Sequence, residues 1–458
     1  MAAKCRYRRL MLGRVLGAVL LLGAIGVVVW AVGRPTSGVG LADAAAEGVQ
    51  PHLEAWQRIA DDNGGNRAAG TPGHEASADY VAQQLRDAGY EVTEQTFEIA
   101  AFSQRLPSRL ETDGRIFADG PDIRALVYSG SGDVTAPVTA TQEEGCDSSD
   151  FDDFPAGSIA VVRRGGPCLV RDLVVNAQDA GAAAVLVEAA MPTPNGVRRS
   201  TLLEPDGIEV PVLGITSEAG EAARAAQLVR VAAFTKVEQR ETRNVIAAPA
   251  TPASADLVVV GAHLDSVMDG PGVNDNGSGA AVVLELARTL PEASRARARF
   301  AFWSGEELAL LGSRRYVQEL DAAELRQIAM YLNFDMLGSP NGVTFVYDES
   351  TAPTGSAAVR DAFEAVLDAR GLPHERHDLA GGSDHRPFEE AGIPVGGLYA
   401  GSFELKTEEQ AASFGGSADS ALDPCYHAMC DDLEGIDTQR LAQMTSVASA
   451  VLLGLLTP

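Results

Sequence analysis

Seven side chains able to bind metal or move protons stand where apolar runs end. His263 and Asp265 follow Leu257–Val260, and Asp275 lies in the Gly-rich turn after them. Glu306 and Glu307 follow Ala298–Trp303, Asp335 follows Tyr331–Phe334, and His427 sits in a late loop. Buried strands of an open α/β sheet deliver such residues to their C-terminal ends, where ligands bind. Two imidazoles and several carboxylates on one edge repel and desolvate badly unless a cation lies between them. Nitrogen and carboxylate oxygen without thiolate suit zinc at a catalytic site. Two histidines and three carboxylates are too many for one tetrahedral zinc with an open position. They suit two zinc ions sharing a bridging carboxylate, the arrangement of two-metal hydrolysis. Singly, each residue has an ordinary reading as a cap, a turn residue or a solvated pair. Their order along alternating strands carries the inference.

The elements that must position them are legible as periodic patterns. Asn244–Ala248, Leu257–Val260, Ala298–Trp303, Tyr331–Phe334 and Val395–Tyr399 read as strands. Ala280–Leu290, Leu311–Glu319, Ala357–Arg370 and about Thr438–Leu455 read as helices. This alternation predicts an α/β fold: a mainly parallel mixed sheet flanked by helices on both faces. Upstream, a helix begins at Pro51, a second covers Ala76–Ala88 and ends at Gly89, and Tyr90–Phe97 alternates as a strand. Leu106–Val237 has another texture, with short strands, one helix over Leu173–Ala180, and no histidine. It predicts a smaller β-rich domain inserted into the first. The expected division is 1–35 as a basic N-terminus with an apolar segment, 36–50 as a linker, 51–105 with 238–458 as the main domain, and 106–237 as the insert.

The chain has 458 residues, 46% of them hydrophobic, and a formal net charge of −27. No basic stripe is present, which excludes nucleic acid as an expected partner. Lys4, Arg6, Arg8, Arg9 and Arg14 precede the uncharged run Val15–Val32, which carries an interfacial Trp30 near its end. That order predicts a membrane-contacting segment with the bulk of the chain outside the cytoplasm. Ala42-Asp43-Ala44 is an acceptable cleavage site, so a retained anchor and a cleaved signal both stay open. Cys146, Cys168, Cys425 and Cys430, an even number outside the cytoplasm, invite two disulfides.

Six blocks recur in order: HLDSV at His263–Val267, GVNDNGSG at Gly272–Gly279, FWSGEELALLGS at Phe302–Ser313, NFDMLGSP at Asn333–Pro340, SDHRPFEEAGIP at Ser383–Pro394 and DPCYHAMCDDL at Asp423–Leu433. With them the chain resembles the extracellular double-zinc aminopeptidases of the aminopeptidase S and aminopeptidase Y type, over Gly48–Phe97 and Glu241–Pro458. The resemblance implies two zinc ions per chain. His263 and Asp335 would bind one, Glu307 and His427 the other, and Asp275 would bridge. Glu306 would be the general base, Asp265 would orient His263, and Tyr426 would donate to the developing oxyanion. Cys425 and Cys430 would close a loop fixing Tyr426 and His427.

Gly145-Cys146, GSIAVVRRGGPC at Gly157–Cys168 and NAQDAGAAAVL at Asn176–Leu186 resemble a protease-associated domain. That implies a β-sandwich-like module with a Cys146–Cys168 disulfide, offering no catalysis and lying over the cleft or limiting substrate size. One departure stands out. Some family members carry an arginine just before the Ser-Asp-His block, where it helps bind substrate; here that position is Gly382, and Arg386 follows His385. Ser383, Asp384 and His385 are expected to shape the pocket rather than bind metal. The implied activity is removal of N-terminal, apolar residues from peptides with a free N-terminus, outside the cytoplasm. Its rivals are a double-zinc carboxypeptidase or other amide hydrolase, and a binding ectodomain on a peptidase fold. The last predicts a missing ligand or base, and none is missing.

Overall fold

Leu257–Val260 is apolar at every position, so a strand built from it has two faces to bury. In the computed structural model, which describes residues 45–457 except 142–144, 165–167, 189–195, 252 and 254–255, that strand lies inside a ten-stranded sheet. The expected membrane segment, Val15–Val32, lies outside the described residues. Among those described, no helix is long and apolar enough to cross a membrane. Ala45 and Val49, at the end of the expected linker, are already buried.

Helices α1 (Gln50–Asp62) and α2 (Pro72–Asp87) precede the long strand β1 (Glu91–Thr112). Short strands follow: β2 (Arg115–Phe117), β3 (Ile123–Ala125), β4 (Gly132–Ala136), β5 (Val138–Ala140) and β6 (Ile159–Arg163). Next come α3 (Val170–Asp179), β7 (Ala184–Glu188), β8 (Val212–Ile215), α4 (Ser217–Ala225) and the long β9 (Val229–Ala248). The main unit then runs β10 (Leu257–His263), α5 (Gly277–Thr289), β11 (Ala298–Trp303), α6 (Leu311–Glu319) and β12 (Ile328–Asp335). It closes with β13 (Phe345–Tyr347), α7 (Ser356–Ala369), β14 (Glu375–His377), α8 (His385–Glu390), β15 (Val395–Tyr399) and α9 (Thr438–Leu456).

The main sheet has the order β14-β13-β15-β12-β10-β11-β9-β1-β2, with β4 also paired to β9. Its centre, β15-β12-β10-β11, is parallel, so these four strands end on one edge. Val258 and Val260 face one core with Trp56, Leu85, Leu286, Phe363 and Leu452. Val259 faces the other, with Trp303, Tyr316, Tyr331 and Phe388. The period-two alternation of one apolar strand thus serves helices on both sides.

β1 and β9 pair antiparallel from Glu91↔Ala248 to Thr112↔Val229, so one ribbon runs through positions 105 and 238 into the insert. Register shifts occur between Gln104 and Leu106 and between Leu106 and Arg109, the second spanning Pro107, which cannot donate to a ladder. The ribbon's far end packs Leu110, Val229 and Val231 against the five-stranded sheet β3-β8-β7-β6-β5 through Ile159, Leu186 and Leu213. Helix α3 covers that sheet's other face with Leu173, Val174 and Ala177. The insert is therefore two packed sheets with helices, and the Cys146–Cys168 disulfide is formed. Asp269, on the loop after β10, accepts from Arg199 at 2.7 and 3.1 Å and pairs with Arg124 at 3.0 Å. These contacts tie the insert to the loop that leads to the site.

Candidate active site

The parallel strands present their C-terminal residues together. His263 ends β10, Asp335 ends β12, and Glu306 and Glu307 follow β11 through Ser304 and Gly305. Gly305 has φ +75°, a conformation that favours glycine, and it turns the chain so that both glutamates point back toward the sheet edge. Asp275 arrives from the turn before α5, where Asn276 caps the helix by accepting from the Gly279 amide at 2.9 Å.

That turn is wrapped around Arg67, which is fully buried. Its guanidinium donates to the carbonyls of Leu264 at 2.5 Å, Gly272 at 2.6 Å and Pro271 at 2.9 Å. Asp431 holds the next segment, accepting from the amides of Asn274 at 2.7 Å and Asp275 at 3.0 Å. The Asn274 side chain donates to Asp423 at 2.6 Å. His427 comes from the loop closed by the Cys425–Cys430 disulfide, at φ +59°. The Tyr426 ring stacks on it with centroids 3.8 Å apart.

Asp275 lies between the two histidines. Its Oδ1 is 3.3 Å from His263 Nε2 and its Oδ2 is 3.1 Å from His427 Nε2. His263 Nε2 is also 3.4 Å from Asp335 Oδ1 and 4.0 Å from Glu306 Oε2. His427 Nε2 is 3.1 Å from Glu307 Oε2. Two groups of donor atoms, each within 4.8 Å of one another, result: His263 with Glu306 and Asp335, and Asp275 with Glu307 and His427. Asp335 Oδ1 and Glu307 Oε1 are buried without a hydrogen-bond partner, as is Asp265 Oδ2. Unpaired buried carboxylate oxygens are costly, and those of Asp335 and Glu307 belong to residues grouped as a cation would need them.

The electrostatics agree. Burial opposes charge on His427, yet Glu307 and Asp275 outweigh it and raise the imidazole to about 10. Burial likewise opposes ionisation of Asp275, but hydrogen bonds from His263 and His427 hold it below the usual carboxylate range. Burial, then Glu307, Asp384 and Asp335, push Glu306 well above that range against the pull of His263. Burial also lifts Asp384 to about 7. This many carboxylates cannot all ionise together without added positive charge.

The structure brings together all seven residues picked out by sequence, with one change in how Asp265 acts. Its backbone carbonyl, not its carboxylate, meets His263 Nδ1 at 3.0 Å; the carboxylate lies 3.9 Å away and accepts from the Glu306 amide at 3.2 Å. Ser383 donates to Asp335 Oδ2 at 2.6 Å. His385, by contrast, belongs to a third, separate buried group with Glu349 and Glu389. Arg67 carries no periodic signal and escapes sequence reading. Asp431 lies within the DPCYHAMCDDL block, but only the fold shows what it holds.

Residues 244–452 match peptidase family M28, and residues 134–223 match the PA domain. An aminopeptidase of Pseudomonas aeruginosa is 39% identical over 419 residues, spanning 86% of this chain and 78% of the relative. The chain belongs to peptidase family M28. A probable lipoprotein aminopeptidase, LpqL, of Mycobacterium tuberculosis is also 39% identical, over 87% of this chain and 82% of the relative. Among solved structures, a zinc aminopeptidase of Bacillus subtilis superposes with a TM-score of 0.69 at 28% identity, covering 89% of this chain and 93% of that one. The expectation of a metallo-exopeptidase with an inserted protease-associated domain therefore stands for this M28 chain.

Proposed function

We propose that this M28 peptidase is an aminopeptidase that holds two zinc ions. His263 and Asp335 would hold one, Glu307 and His427 the other, and Asp275 would serve both. The observation that carries this reading is Asp275, with one carboxylate oxygen toward each imidazole. The same distances divide the glutamate pair: Glu307 lies 3.1 Å from His427 Nε2, whereas Glu306 stands back at 4.0 Å from His263 Nε2. When bound, zinc supplies Lewis-acid polarisation of the scissile carbonyl and makes water nucleophilic at neutral pH.

Glu306 accepts the proton of the attacking water and passes it to the leaving amine. The Asp265 carbonyl accepts a hydrogen bond from His263 Nδ1–H, which keeps the proton on Nδ1 and leaves the Nε2 lone pair free to ligate. Tyr426, fixed by its stacking on His427, donates its hydroxyl to the oxyanion. The free α-amine of the substrate is held by the acidic groups. Its apolar side chain enters a pocket of about 540 Å³ lined in part by Val127, Leu308 and Phe403.

The two disulfides and the lipoprotein relative support action outside the cytoplasm. The PA match supports 106–237 as the inserted unit and 51–105 with 238–458 as the catalytic one. The test is metal analysis with a substrate profile. Two zinc ions per chain, activity lost to chelator and restored by zinc, and cleavage of aminoacyl-p-nitroanilides are expected. Cleavage of N-blocked, C-terminally free peptides instead would overturn the reading.

A further inference from the structure

The pocket beside the metal-binding groups is charged unevenly. Asp265, Glu306 and Glu307 line one part of it. Five arginines also line it: Arg164, Arg198, Arg199, Arg240 and Arg314. Four of them have oxygen partners: Arg164 with Ser200, Arg199 with Asp269, Arg240 with the Gly70 carbonyl and Arg314 with Glu390. Arg198 is different. Among the described residues its guanidinium has no hydrogen-bond acceptor and no carboxylate at ion-pair distance, Glu404 acting on it only through space, although it is half-buried.

What holds Arg198 is aromatic. Its guanidinium carbon lies 4.2 Å from the Phe403 ring centroid and 5.5 Å from that of Tyr426. The Phe403 and Tyr426 rings stack on each other at 5.9 Å. A guanidinium over an aromatic face keeps its N–H groups for a planar anion. The backbone beside it is pinned as well. Arg199 is clamped to Asp269, and the Leu202 amide donates to the Val127 carbonyl at 3.1 Å. The cation is therefore placed by the insert, against the tyrosine that neighbours His427.

We propose that Arg198 forms a carboxylate-binding subsite, selecting peptides that carry a carboxylate on the leaving-group side of the scissile bond. This deepens the aminopeptidase reading and rests on it. The substrate amine goes to the acidic part of the pocket, and the carboxylate meets Arg198 in a charge-assisted, two-pronged hydrogen bond. That carboxylate comes either from the C-terminus of a dipeptide or from an acidic residue just after the bond.

The test measures kcat/KM for leucine release from two substrate pairs. Leucyl-alanine against leucyl-alaninamide reads the C-terminal carboxylate. Leucyl-aspartamide, with its free side-chain acid, against leucyl-asparaginamide reads the side chain. The wild type is expected to favour the acid in at least one pair by about tenfold or more, and the favoured pair identifies the source. Arg198→Gln should bring that ratio to near one, while Arg198→Lys keeps part of it. A ratio near one in both wild-type pairs, or an unchanged ratio in a folded Arg198→Gln, overturns the proposal. Failure to release leucine from any of the four substrates refutes the aminopeptidase reading itself, and this inference with it.

Discussion

Replacing Arg67 by Met removes the buried cation around which the Leu264–Gly272 turn is built. Three carbonyls, of Leu264, Pro271 and Gly272, lose charged donors. Hydrogen bonds to charged groups contribute about 1.5–3 kcal/mol each, so roughly 4–9 kcal/mol is at stake. Part of this is offset. Burial lowers the Arg67 pKa to about 10 despite the pull of Asp431, Asp265 and Asp275. Removing the charge returns about 3 kcal/mol of that desolvation cost. The hydrogen bonds win, and the expected loss is roughly 1–6 kcal/mol, a large share of a typical domain's stability. Trp56, 5.4 Å from the guanidinium, reports the change by fluorescence during urea unfolding. Because the turn leads directly to Asp275, the folded Arg67→Met protein should also bind less zinc. Arg67→Lys, which keeps the charge but reaches fewer carbonyls, should fall between the two. An Arg67→Met midpoint within error of wild type at equal m-value, with full metal content, would refute the assignment of Arg67 as the organiser of this turn.

Glu306→Gln should keep the wild-type metal content while turnover falls by about 10²–10⁴-fold; near-normal kcat would exclude it as the base. His74 is fully buried, and burial lowers it from 6.5 to about 4, with the Arg243 carbonyl bond only partly opposing this. Its neutral form stabilises the fold above pH 6.5, and that contribution drains away as pH falls toward 4. Between pH 7.5 and 4.5, wild type should therefore lose about 2–3 kcal/mol more than His74→Gln, measured by urea titration at each pH; parallel curves would contradict this. Asp269→Asn leaves Arg199 and Arg124 facing a neutral amide, with an expected cost of about 3 kcal/mol or more. Limited proteolysis should then cut the Ser266–Gly270 loop or the insert faster than in wild type, and an unchanged rate would mean that the clamp does not hold the two units together.

The donor set was legible in the sequence because it depends on local order. A strand whose apolar pattern stops at His263, Trp303 or Asp335 must release its next residue at the sheet edge, and parallel pairing sends all three to the same edge. Strand and helix limits in the main unit followed the same periodicities; β11, α6 and β15 have the expected bounds. The ribbon of β1 and β9 was only half visible. Tyr90–Phe97 alternates, but beyond it the strand leaves one core for another, passes two register shifts and loses a single buried face. Tertiary structure alone decided the supporting contacts. Arg67 meets the Gly272 carbonyl across 205 positions, and Asn274 meets Asp431 across 157. A hydrogen bond between such distant residues leaves no period in the chain, so composition and spacing cannot reveal it. The same holds for Arg198 lying over Phe403 and Tyr426. Local pattern determined which groups reach the site; long-range packing determined how each is aimed.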